Sequence, residues 1–215
     1  MLKVWGRQSS LNVQKVMWLV EELGVECEHT ELGGSFGGLD EPSFRAKNPH
    51  GKVPVIEDGE TVVWESHAIL RYLADAYGDE TLYPRGPAAR AGVEQWIEWT
   101  QTMLLHDFLQ GVFWGFYRTP EPDRNVPAVE RSIRRCGRHF QVLDALLEGR
   151  QFLLGDSLTL ADVPAGTCLY RYFNIEIERP KVPNVEAWYA RLQERTPYQA
   201  QIMVPFGELY GRLAY

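Results

Sequence analysis

A chain of 215 residues, 45% hydrophobic and 24% charged, has room for one large domain or two small ones around a sizeable core. Its net charge of −7 argues against nucleic acid as a partner, because phosphate binding needs a basic surface, but leaves small anionic ligands open, since these respond to local field. No run of about 18 apolar residues occurs, so no membrane span is expected. The N-terminus lacks the apolar core of a signal peptide. The three cysteines, Cys27, Cys136 and Cys168, are scattered without CxxC or metal-ligand spacing. They read as thiols buried in a reducing cytoplasm, and no metal site is expected.

In chain order, Leu2 to Trp5 reads as a strand. Val13, Val16, Met17, Val20 and Leu23 then recur at helical spacing, with Gly24 as C-cap. Cys27 to Leu32 is a second strand candidate, Gly33 to Gly38 (GGSFGG) a flexible loop, and Ser43 to Lys47 a short segment.

The stretch from Asn48 to Leu70 makes three unusual demands side by side. Val53-Pro54 puts a residue that cannot donate to a sheet ladder directly before the apolar pair Val55-Ile56, at a strand start or edge, and X-Pro is the one common place for a cis bond. Asp58-Gly59 is a hairpin turn signal between that pair and Thr61 to Trp64. Glu65-Ser66 opens a helical pattern predicted over 66–77. Glu65 follows a strand where an apolar residue would be cheaper. Exposed amides at a helix start attract anions, so the stretch reads as a site for a small anionic, peptide-like ligand.

A turn-rich linker over 79–87 separates this first unit, 1–78, from a purely helical remainder, 88–215. Helices are predicted near 88–118, 127–148, 159–172 and 183–195, with Thr159 to Asp162 as a capping box. Phe108, Phe113, Trp114, Phe116 and Tyr117 form an aromatic cluster with Arg118 beside it. Such stripes are usually core, yet these rings cover too much of a helix circumference to face one core. Phe36 in the glycine-rich loop is a further candidate rim.

The Asn48-Pro49, Val53-Pro54 and Glu65-Ser66 combination resembles the glutathione-binding half of cytosolic glutathione transferases, and Ser10-Leu11-Asn12 resembles the Thr-x-Asn loop of a bacterial class. The resemblance implies an α+β thioredoxin-like domain (β-α-β-α-β-β-α) followed by an all-α domain. It implies a serine-type enzyme of the EC 2.5.1.18 kind, a cytoplasmic homodimer serving detoxification. In it, bound glutathione becomes a thiolate that attacks a hydrophobic electrophile. A free thiol has a pKa near 8.5, so a hydroxyl donor and a helix N-terminus are needed to ionise it.

By the same resemblance Ser10 is the first thiol donor, Asn12 the second and Ser9 an alternative. Lys52 meets the glycyl carboxylate, Val53 pairs its backbone beside Pro54, and Glu65 and Ser66 hold the γ-glutamyl end. Phe36, Phe113, Trp114 and Tyr117 line the electrophile pocket. The residues alone leave a second reading of Ser10 and Asn12 open, as helix caps. The alternative functions are a glutathione-dependent disulfide reductase or peroxidase, a maleylacetoacetate-type isomerase, and a non-enzymatic binding or scaffold module. Thioredoxin chemistry is disfavoured because the first loop has no cysteine.

Overall fold

The computed structural model describes residues 1–213; the last two residues of the predicted helical unit lie outside them. The first half runs β1 (Leu2–Trp5), α1 (Leu11–Glu22), β2 (Cys27–Thr30), α2 (Pro42–Arg45), β3 (Val55–Asp58), β4 (Thr61–Trp64) and α3 (Ser66–Tyr77). The sheet order is β2-β1-β3-β4, with β1 parallel to β2 and antiparallel to β3. The hairpin closes at Asp58 opposite Thr61, where the Asp-Gly signal puts it. Together these elements form the expected thioredoxin-like half.

The second half is helical: α4 (Pro87–Trp99) with a continuation to Arg118, α5 (Val126–Leu146), α6 (Asp162–Asn174), α7 (Pro183–Gln193) and α8 (Thr196–Gln201). The short α8 carries no separate sequence signal. The capping box takes a modified form. Helix α6 starts at Asp162, whose carboxylate accepts from the Thr159 N–H and hydroxyl at 2.9 and 3.0 Å. The Thr159 hydroxyl therefore donates to the carboxylate instead of accepting from the helix.

Helix α1 is the junction of the two halves. It packs against α3 on one side and against α6 and α8 on the other. Every residue from Val13 to Val20 is buried, the polar Gln14 and Lys15 included. The periodicity implied one apolar face; both faces are covered instead. Arg195 closes the C-terminal end of α1 with a bidentate pair to Glu22 at 2.7 and 2.6 Å. Trp18 packs edge-on against Tyr198, ring centroids 4.9 Å apart.

Beyond Trp99 the long helix continues without a break, but Thr100–Leu104 and His106–Arg118 take π-type winding. Its last turn shows the i→i+5 bond, Thr119 N–H to Trp114 O at 3.1 Å. Wider winding changes which side chains share a face. Under α-helical spacing Leu109 and Phe113 align with Tyr117, four residues on. Under π winding the next residue on that face is Arg118.

Candidate functional site

The site forms where the loop after β1 meets the turn before β3. Gly6 makes the meeting possible. It has φ +146, and a Cβ there would come within 2.5 Å of Val13 Cγ2 and 2.9 Å of the Val53 side chain. Across from it, just before β3, the Val53–Pro54 peptide bond is cis. The preceding turn is fixed by Asn48, which is 2% exposed. Its Nδ2 donates to Lys52 O at 2.8 Å, its Oδ1 accepts from the His50 N–H at 3.0 Å, and its carbonyl accepts from Gly51. Among the described residues no backbone hydrogen bond engages Val53 N–H or C=O, which leaves both for a peptide-like ligand.

Ser10 is the N-cap of α1, with extended φ/ψ, and its carbonyl accepts from Val13 and Gln14. Its hydroxyl makes no capping hydrogen bond. The backbone therefore does the capping while the side chain is left over. Ser10 and Asn12 line a cleft of about 280 Å³ together with Ser9, Lys52 and Val53. No acidic residue sits in the first turn of α1, so its N-terminal amides complement negative charge in the cleft.

The far wall of the cleft comes from the helical half: Leu109, Phe113, Trp114 and Arg118 of the π-wound segment, Arg171 of α6, and Leu209. Tyr117, a sequence candidate for this wall, is not among the lining residues. It stacks on Phe113 at 5.5 Å and packs against Phe206 and Tyr210, as the winding above requires. Phe36 is exposed and lines a neighbouring depression with Gln8, Glu31 and Pro205; Ser9 borders both.

Glu65 and Ser66 lie at the start of α3, outside the lining of this cleft. Glu65 has φ 70, and it is the sole non-glycine residue with positive φ among the described residues. Strain of this kind collects at functional positions. No acidic residue occupies the first turn of α3, and Ser66 is nearly buried, its hydroxyl making no hydrogen bond within the described chain. Such a helix start accepts a carboxylate.

Beneath it lies a buried pair missed by the sequence reading. Lys15 Nζ stands 3.0 Å from His67 Nε2. Burial lowers the Lys15 pKa to about 8, against the opposing pull of Cys168 and Glu65. Burial, then the neighbouring Lys15 and Arg71 cations, push His67 down to about 2, so its ring is neutral at pH 7. Nε2 then accepts from Lys15, and the proton sits on Nδ1. Burial also raises all three thiols, Cys168 to about 12, which makes them poor nucleophiles.

Arg171 also escaped the sequence reading. Its Nη2 donates to Ser9 O at 2.8 Å and to Gln14 Oε1 at 3.0 Å, tying α6 to the start of α1. No local signal announces a contact across 162 positions of chain. Among the described residues no group of three or more His, Cys, Asp or Glu could hold a metal ion, and no helix is long and apolar enough to cross a membrane.

A thioredoxin-like half with a cis proline, joined to a helical half across a cleft, defines a two-domain class of protein with a ligand-sized cleft between its halves. Known proteins agree. The N-terminal domain model of glutathione S-transferases matches residues 1–75, and the C-terminal domain model matches 105–196. The chain is 36% identical to glutathione S-transferase GstB of Escherichia coli K12, across 95% of this chain and 99% of that protein. A theta-class glutathione S-transferase from Xanthomonas axonopodis pv. citri, solved with glutathione bound, is 42% identical with a TM-score of 0.89, over 95% and 98% of the two chains. A delta-class glutathione transferase from Nilaparvata lugens is 26% identical with a TM-score of 0.85, over 97% and 98%. The chain belongs to the glutathione S-transferase family.

Proposed function

We propose that this glutathione transferase binds glutathione along the segment that leads into β3 and ionises its thiol at Ser10 for attack on an electrophile held by the helical half. The observation that carries the reading is Ser10: an N-cap residue whose hydroxyl the helix does not use, opening into the cleft beside Asn12. A hydroxyl donor and the N-terminus of α1 both favour the charged form of a sulfur there. Asn12 is the second donor and Ser9 the alternative. This makes the chain a serine-type member.

Val53, beside Pro54, pairs its backbone with the cysteinyl part, and Lys52 meets the glycyl carboxylate. Glu65 pairs with the γ-glutamyl ammonium, and Ser66 with its carboxylate. Glutathione is the co-substrate and no metal takes part. As in the family, we read the chain as a cytoplasmic homodimer, with 1–78 and 88–215 as its two domains.

Calorimetric titration with reduced and, separately, oxidised glutathione tests the reading. Tight binding of the reduced form alone is the expected result, and comparable or better binding of the oxidised form would put disulfide reduction first. In the same titration Glu65→Ala is expected to weaken affinity by about 1–3 kcal/mol, the cost of an unmatched charged hydrogen bond. Unchanged affinity would remove Glu65 from the site. Ser10→Ala is expected to raise the pKa of the bound thiol by about one to two units, followed as thiolate absorbance against pH. Should Ser9→Ala abolish the thiolate while Ser10→Ala keeps it, the donor is Ser9.

A further inference from the structure

We infer that Lys15 is a positioning residue for glutathione: its ammonium, buried against His67, supplies the fixed positive charge that holds the γ-glutamyl carboxylate at the start of α3. The inference rests on the transferase reading of the same site and adds to it a residue that does not touch the ligand. The polar groups buried beneath that helix start are donors short of an acceptor. Lys15 has no solvent exposure, and among the described residues no carboxylate pairs with it; Nζ lies 3.0 Å from His67 Nε2. With Nε2 accepting from Lys15, the proton of the His67 ring sits on Nδ1, which is buried and meets no acceptor within the described chain. Above the pair stand the first amides of α3, which a helix cannot satisfy itself, and the buried Ser66. A carboxylate is the group that answers such a set. An ammonium taken out of water without a counter-ion is costly, and an arriving carboxylate offsets that cost.

The neighbours leave this role to the ligand. Titratable and charged groups around the pair come from each element packed on α1: Glu65, His67 and Arg71 of α3, Cys168 and Arg171 of α6, and Tyr198 of α8. Burial pushes Cys168 up to about 12 and raises Tyr198 as well, so neither is an anion at neutral pH. Arg71 is paired with Glu94 and Glu98, and Arg171 donates to Ser9 O and Gln14 Oε1. Glu65 is the one carboxylate of the group. It is exposed, and in the transferase reading it takes the ligand's ammonium. The ligand's carboxylate, at Ser66, then faces Lys15 across the neutral His67 ring. In a medium of low dielectric a charge acts over that separation without contact.

Proton linkage follows. Burial lowers Lys15 to about 8, so in the free protein roughly half of it is neutral at pH 8. A carboxylate at the start of α3 favours the ammonium form, and binding draws a proton from solvent onto Lys15. The pKa is then higher in the complex than in the free protein, so affinity falls as pH rises past about 8.

Proton titration of Lys15 tests this on the wild-type chain, followed by NMR of protein labelled with carbon-13 at the lysine Cε. The signal is assigned by its absence from Lys15→Arg. One probe is S-methylglutathione, whose blocked sulfur carries no proton to lose. The other is its 4-aminobutyryl counterpart, which keeps the ammonium and lacks only the γ-glutamyl carboxylate. The Lys15 midpoint in the S-methylglutathione complex is expected to lie about one pH unit or more above that in the counterpart complex. Lys15→Met is expected to weaken S-methylglutathione at least tenfold and the counterpart less than threefold. Lys15→Arg, which keeps the charge, should restore part of the loss. A lysine that merely packs α1 against α3 would weaken both ligands alike and leave the midpoints equal.

Because Lys15 is fully buried, the wild-type midpoints decide the matter even where a variant does not fold. Where the counterpart fails to saturate the site, the free protein is the reference. If glutathione binds and its S-methyl form does not, reduced glutathione takes its place in the same titration. Equal midpoints overturn the inference and leave the transferase reading intact. Failure to bind reduced glutathione at all removes the transferase reading, and this inference with it.

Discussion

Replacing Asp162 by alanine is expected to destabilise the chain by roughly 3–5 kcal/mol, read as the shift of its urea-unfolding curve. The carboxylate has no solvent exposure. One oxygen accepts from the Leu153 N–H at 2.9 Å, and the other accepts from the Thr159 N–H and hydroxyl. The hydroxyl of Thr159 can rotate away, but the two backbone donors cannot, and each costs about 1–3 kcal/mol if left buried without a partner. Asp162→Asn keeps one acceptor oxygen and is expected to lose about half as much. The consequence reaches the cleft. Asp162 fixes where α6 begins, and α6 carries Arg171 against Ser9 O. Activity should therefore fall in the alanine variant even under conditions where it stays folded. A loss under about 1 kcal/mol would mean that other groups take over both amides.

The thioredoxin-like half was legible because its signals are local. Leu2–Trp5, the Asp58-Gly59 hairpin and Ser66–Tyr77 lie where alternation, turn chemistry and helical spacing put them. So does the motif from Val53 to Ser66, because the residues involved are punctuation: a proline, a turn glycine and a polar helix start. What was not legible depends on neighbours far along the chain. Lys15 and Gln14 look like the solvent face of α1 and are buried because distant elements cover it, Lys15 meeting His67 of α3 and Gln14 meeting Arg171 of α6. Arg171 has no meaning for the site until α6 is docked on α1. Tyr117 and Arg118 exchange places because π winding replaces α-helical spacing over His106–Arg118, a change that no propensity or periodicity in the sequence announces. The two open readings of Ser10 also resolve in part: its backbone caps the helix, and its side chain does not.

The stability of the folded chain is expected to stay nearly flat between about pH 6 and 5, because proton uptake at two buried positions differs there between folded and unfolded chains with opposite sign. His67 is held neutral by burial and by the Lys15 and Arg71 cations, with its pKa near 2. As pH falls below about 6.5 the unfolded chain takes up a proton that the folded chain refuses, so the folded state loses about 1.4 kcal/mol per pH unit. Asp162 runs the other way. Burial raises its pKa to about 6, against the hydrogen bonds that favour its charged form. Below that value the folded carboxyl takes up a proton that the unfolded one accepts only near pH 4, so the folded state gains about the same amount per unit. Single variants separate the two. His67→Gln should become more stable as pH falls from 6 to 5, and Asp162→Asn less stable, each by roughly 1.4 kcal/mol relative to its own value at pH 6. Urea-unfolding curves at pH 7, 6, 5.5 and 5 measure both slopes. The window lies above the ordinary carboxylate range, so the ion-paired carboxylates Glu57 and Glu94, whose pKa values are lowered, stay out of it. A wild-type profile that slopes like that of Asp162→Asn would mean that Asp162 stays ionised in the folded chain. The three hydrogen bonds it accepts from Leu153 and Thr159 would then be stronger than its burial is costly, and the alanine variant should lose stability at the upper end of the range given above.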